Sequence, residues 1–167
     1  MVPFALAIGR RAGDRLAVLR LKNRVRGWNG AGQDPVVDAR WALGQVQQAL
    51  PGLPVVLVGH SMGGRVALEL SGAPDVVGIA ALAPWVEGTT PRPPVGTPVL
   101  LMHGTRDRIT SPRRTEVLAE RFAQNGIRVS HVRVEGGDHA MLRQAQLWHD
   151  SVADFVSRVP LDPGRTS

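Results

Sequence analysis

Apolar residues gather in short continuous runs along this chain, and between the runs they recur at every third or fourth position. Residues 55–58 (VVLV), 76–82 (VVGIAAL) and 99–102 (VLLM) are apolar without polar alternation. That pattern predicts strands covered on both faces, as in the interior of a parallel sheet. Residues 16–21 (LAVLRL) are mostly apolar, and residues 127–134 (IRVSHVRV) are mixed, as a half-exposed edge strand would be. Helices are predicted between the runs. Asp34-Pro35 supplies an N-cap and a proline at the first helical position; Val36, Ala39, Leu43, Val46 and Leu50 then form one face, and Pro51-Gly52 ends it. Ser111-Pro112 repeats the start signal, Val117, Leu118 and Phe122 form the face, and Asn125-Gly126 stops it. Leu147, Trp148, Val152, Phe155, Val156 and Val159 stripe a last helix, and residues 1–12 read as a first one. Strands separated by single helices imply right-handed crossovers. The fold class is therefore α/β, a mostly parallel sheet flanked by helices on both faces. The length, 167 residues, suits one domain over residues 1–160 with a tail at 161–167.

Composition narrows the function classes. The chain is 43% hydrophobic and 20% charged, as a soluble globular chain is. It has no cysteine, so disulfides and thiolate metal sites are excluded, and the cytoplasm is the expected compartment. Lys and Arg number 20 against 14 acidic residues, for a net charge of +6. The arginines are scattered rather than blocked, and no nucleic-acid-binding motif accompanies them, so nucleic acid is not the expected partner. No apolar run approaches the roughly 18–20 residues that a membrane span needs. Arg10 and Arg11 follow the apolar start instead of preceding it, the wrong order for an export signal.

The chemistry concentrates in Gly59-His60-Ser61-Met62-Gly63, which follows the run VVLV and precedes the helical stretch at 64–70 (GRVALEL). A G-x-S-x-G between strand and helix is a nucleophile elbow. The turn is tight, so Gly59 and Gly63 are expected to supply space, and Ser61 projects its hydroxyl at the carboxyl end of the sheet. The Met62 amide, at a helix N-terminus, is the expected oxyanion donor. The pattern lacks the Gly-Lys-Ser/Thr of a phosphate loop and the G-x-G-x-x-G of a dinucleotide site. A serine hydroxyl needs a base, and the base needs an orienting carboxylate. Asp107 closes His103-Gly104-Thr105-Arg106-Asp107 after the run VLLM, and His139 closes Gly136-Gly137-Asp138-His139 after IRVSHVRV. Both loops leave the same sheet end as Ser61. Asp138 reads as a loop-ordering carboxylate, and His60 and His103 as packing beneath the site. His131, Asp138 and His149 have no metal-ligand spacing, so no metal is expected.

Taken together, GHSMGG, HGTRD and GGDH resemble the α/β-hydrolase superfamily, and RVRGWNG, DPVVDARWAL and VVLVGHSMGG are similar to small bacterial members of the serine-esterase type. The resemblance covers about residues 1–160. It implies hydrolysis of a carboxylic ester, ahead of a thioester or amide, through an acyl-enzyme on Ser61. His139 would be the base, Asp107 the acid, a small acyl compound the substrate, and no cofactor is implied. Lid domains in the superfamily insert where this chain has the proline-broken residues 83–97, so an open, lidless site is expected. His60 and Trp85 are the expected border of its pocket, with a plain core tryptophan as the other reading of Trp85. The chain departs from the pattern ahead of Ser61. No strand ending in His-Gly, whose following amide is the second oxyanion donor, precedes the elbow. Residues 16–21 then correspond to the superfamily's fourth strand, left to pair with VVLV directly or to lose its neighbour. The expectation is a chain that begins downstream of its first strands. The alternative is a non-catalytic copy serving as a binding module.

Overall fold

The computed structural model describes residues 1–88 and 90–160, and the tail at 161–167 lies outside the described residues. Four parallel strands form one sheet in chain order: β1 (Val55–His60), β2 (Val76–Leu82), β3 (Val99–Gly104) and β4 (Val129–Val134). Five α-helices cover it: α1 (Val2–Ala12), α2 (Asp34–Ala49), α3 (Met62–Glu69), α4 (Pro112–Gln124) and α5 (Ala145–Arg158).

Side-chain alternation along the strands splits the interior into two cores. Ile79, Ala81, Val99 and Leu101 point to one face, where they meet Val36 and Leu43 of α2, Leu68 of α3, and Leu118 and Phe122 of α4. Ala80, Leu82, Leu100 and Met102 point to the other and meet Phe4 and Ile8 of α1 and Trp148 and Val152 of α5. β2 and β3 are the interior strands and are almost wholly buried, as their unbroken apolar runs require. Each fully buried aliphatic or aromatic side chain there contributes about 1.5–3 kcal/mol. Ser111 caps α4 by accepting the Arg114 amide, and Gly126 leaves that helix at φ 73°.

Several expectations are corrected. Residues 16–21 form no strand. They belong to the connection between α1, on one face of the sheet, and α2, on the other; they pair with no strand, and residues 17–21 are left exposed. Leu16 packs on the α1–α5 core and Trp28 on the opposite core, while Leu19 and Leu21 between them stay 76% and 47% exposed. The Arg24 amide and guanidinium both bond the buried Asp38 carboxylate and pin this connection to α2. VVLV is accordingly an edge strand, half-buried rather than buried on both faces. The amides of Val55 and Ser61 both donate toward β2, to Asp75 and Leu82. By alternation, the backbone groups of Val56, Val58 and His60 face the open edge. Asp34 opens α2 from inside the helix instead of capping it; its carboxylate accepts from Asn29 Nδ2. Leu50 falls beyond the end of α2 and is 55% exposed, and Val117 sits on the outer side of α4. The β2–β3 crossover carries no helix among the described residues; it runs beside α4, whose Arg114 and Arg121 hold the Val86 and Thr90 carbonyls.

Candidate active site

Because all four strands point the same way, the loops that follow them converge on one edge of the sheet. Ser61 follows β1 with φ 54° and ψ −118°, a conformation that a side-chain-bearing residue holds only when its surroundings impose it. The surroundings do so here. The Ser61 amide donates to Leu82 O (2.8 Å), and its carbonyl accepts from Trp85 N (3.1 Å) and Arg65 N (3.2 Å). A Cβ on Gly59 would lie 2.0 Å from the Gly63 carbonyl oxygen, and one on Gly64 3.1 Å from Pro84. A Cβ on Gly63 would meet nothing within 4 Å. The space that the turn needs is therefore at Gly59 and Gly64, and the expectation for Gly63 is corrected. Met62 is the first residue of α3, where backbone amides have no acceptor inside the helix.

The three candidate side chains lie in hydrogen-bonding sequence. Ser61 Oγ is 3.0 Å from His139 Nε2, and His139 Nδ1 is 2.7 Å from Asp107 Oδ2. Asp107 has a fully buried side chain and a second task. Its Oδ1 accepts the Ile109 and Thr110 amides (2.7 and 2.9 Å), an Asx turn that fixes the loop. Burial alone would raise its pKa. The hydrogen bonds from the Thr110 and Ile109 amides, His139 and the Thr110 hydroxyl outweigh it and hold the carboxyl at about 2, so it is ionised. An ionised carboxylate only accepts, so His139 Nδ1 carries a proton and Nε2 presents its lone pair to the Ser61 hydroxyl.

Around this line the structure places residues in roles the sequence did not announce. The Thr110 hydroxyl lies 2.9 Å from Asp107 Oδ2 and 3.1 Å from the Ala83 carbonyl. The Asp-x-x-Thr spacing was the available signal for it. His60, expected at the pocket border, donates from Nε2 to the His139 carbonyl (2.8 Å), with the two rings 4.7 Å apart. It ties the elbow to the base loop, and burial holds it below the ordinary imidazole pKa. Trp85 packs edge-on against Trp28, and the Arg65 guanidinium lies over both rings at 4.7 and 3.9 Å. Asp138 accepts the Leu142 amide, a bond within its own loop. A cleft of about 570 Å³ lies between α4 and β4, behind His103 rather than beside Ser61. Among the described residues no cluster of His, Asp and Glu is placed to hold a metal, and no helix is long and apolar enough to cross a membrane.

Solved structures share this arrangement of elements. An esterase of Pyrobaculum calidifontis matches with a TM-score of 0.75 at 15% identity, over 95% of this chain and 70% of that one. A lidless α/β serine hydrolase of Xanthomonas campestris matches at 0.72 and 20% identity, over 96% and 75%. SOBER1 of Arabidopsis thaliana matches at 0.55 and 22% identity over 71% of this chain, which spans 61% of its length. At such identities the likeness is one of fold. No protein of curated function matches the sequence. The profile of the alpha/beta hydrolase domain matches residues 34–155, from the start of α2 into α5, and the chain belongs to that family.

Proposed function

We propose that the protein is a serine hydrolase that cleaves carboxylic esters through an acyl-enzyme on Ser61. The observation that carries this is the unbroken line from the Ser61 hydroxyl through His139 to the buried, ionised Asp107. His139 Nε2 takes the hydroxyl proton as Ser61 Oγ attacks the acyl carbonyl carbon. The charged imidazole is held by Asp107. The Met62 amide donates to the carbonyl oxygen as it becomes negative, with the α3 dipole behind it. Collapse of the tetrahedral intermediate breaks the C–O bond, and His139 returns the proton to the departing alcohol. Water, deprotonated by the same nitrogen, then frees the acid. The β2–β3 crossover, helix-free among the described residues, supports an open site for small or extended acyl groups.

The test is labelling with a fluorophosphonate probe together with hydrolysis of p-nitrophenyl acetate. Wild-type protein should react, and Ser61→Ala should lose all labelling and lower turnover by about 10⁴-fold or more. A wild-type protein that is folded and inert to both reagents would leave the binding-module reading in its place.

A further inference from the structure

His103 is almost completely buried, 1% exposed at the end of β3, and neither ring nitrogen is free. Nε2 lies 3.1 Å from Asp107 Oδ2, the oxygen that also faces His139, and Nδ1 lies 2.7 Å from the hydroxyl of the fully buried Thr115. A neutral imidazole has one donor and one acceptor nitrogen. The nitrogen facing an ionised carboxylate must be the donor, so Nε2 bears the proton and the Thr115 hydroxyl donates to Nδ1. One carboxylate oxygen therefore stands between two imidazole N–H groups.

We propose that His103 is a positioning residue for the base: as a neutral Nε2–H donor it shares Asp107 Oδ2 with His139 and so limits how strongly the carboxylate draws a proton onto His139. This rests on the reading of Ser61, His139 and Asp107 as the hydrolytic machinery. Without the His103 donor, Oδ2 would be shared only by His139 and the Thr110 hydroxyl, its charge would favour the imidazolium more, and less free base would be present at neutral pH. Burial keeps His103 from becoming a cation itself, against the pull of Asp107. The other charged groups near His103 stand farther off and largely offset one another. Glu116 of α4 pairs with Arg133 of β4 at 3.3 Å, Arg113 and Glu120 line the same cleft, and His131 of β4 is itself kept neutral by burial.

The test uses wild type, His103→Gln, which retains an N–H donor, and His103→Leu, which does not. In His103→Leu the Thr115 hydroxyl can turn back to the Ser111 carbonyl, one helical turn away. Imidazole nitrogen NMR on wild type should show His103 protonated at Nε2 alone and still neutral where a free imidazole would charge. The His139 titration, and the acid limb of the fluorophosphonate labelling rate, should move up by about one pH unit in His103→Leu and stay near the wild-type position in His103→Gln. An Nδ1-protonated His103, one that charges in that range, or equal midpoints in all three proteins, overturns the proposal. The NMR arm needs no turnover and covers a His103→Leu that does not fold. Absence of Ser61-dependent labelling would instead remove the hydrolase reading.

Discussion

Replacing Gly104 by alanine should cripple the site by separating two loops without altering any reactive side chain chemically. A Cβ on Gly104 would lie 2.4 Å from the Gly137 carbonyl oxygen and 2.5 Å from its carbon. Real contacts of this kind stay above 3.0 Å, and neither partner is a side chain that can swing away. The end of β3 and the loop after β4 would have to part by about 0.6 Å, an overpacking typically worth about 1–3 kcal/mol. The same Gly137 oxygen accepts the Arg106 amide at 2.9 Å, so the parting also stretches the bond that seats the Asp107 loop. Transmitted to the 2.7 Å contact between Asp107 and His139, it would leave that hydrogen bond near the limit of its reach. A 1 Å misplacement costs about 10²-fold in rate, so a 10- to 100-fold fall in labelling is expected. At this chain length the stability loss corresponds to a melting temperature lower by about 2–12 °C. The rate of fluorophosphonate labelling should be taken well below both melting temperatures, so that unfolding does not enter. A variant that melts with wild type and labels at its full rate would show that the loops do not act as one body, and the reasoning would fail.

The elbow offers a paired comparison: Gly59→Ala is expected to yield no folded protein, because the new Cβ meets the Gly63 backbone at 2.0 Å, while Gly63→Ala, with open space around it, should melt no lower than wild type by circular dichroism. Asp107 links stability to pH. Its folded-state pKa, about 2, lies below the ordinary 3.8, so its contribution of about 2 kcal/mol is full above pH 4 and lost as the pH falls toward 2. Urea midpoints should accordingly drop over that window in wild type and drop less in Asp107→Asn.

Much of the α/β fold could be read from local pattern, and what escaped depended on partners distant in sequence. VVGIAAL and VLLM are buried on both faces, and a continuous apolar run says so directly. VVLV has the same character yet lies at an edge, because whether a second neighbour exists is not written in the strand itself. Residues 16–21 carry a strand-like composition, yet they pair with no strand and residues 17–21 stay exposed, which depends on neighbours distant in sequence. Asp34 lies one residue inside α2, whose start at Gln33 has no side-chain cap, and its carboxylate takes Asn29 instead. At the site, Ser61, Asp107 and His139 stood out by motif and chain order, and Met62 by its place after the serine. His60 and His103 were legible only as neighbours: His60 bonds the distant His139 carbonyl, and His103 meets Asp107 only once the loop after β3 turns the carboxylate back onto the strand end. The Arg65 stack on Trp28 and Trp85 joins three separate stretches and left no local trace.

Among the described residues the elbow has a neighbouring strand on one flank only. Leu82 at the end of β2, Trp85 just past it and Arg65 of α3 hold the Ser61 backbone, and among the described residues the opposite side of β1 has no strand beside it. Among the described residues β2 is thus the one strand that buttresses a bent spring. A core substitution that shifts β2 by a few tenths of an ångström will carry the Leu82 end of that strand with it and change the aim of the hydroxyl, so reactivity at Ser61 reports on how the interior strand is packed.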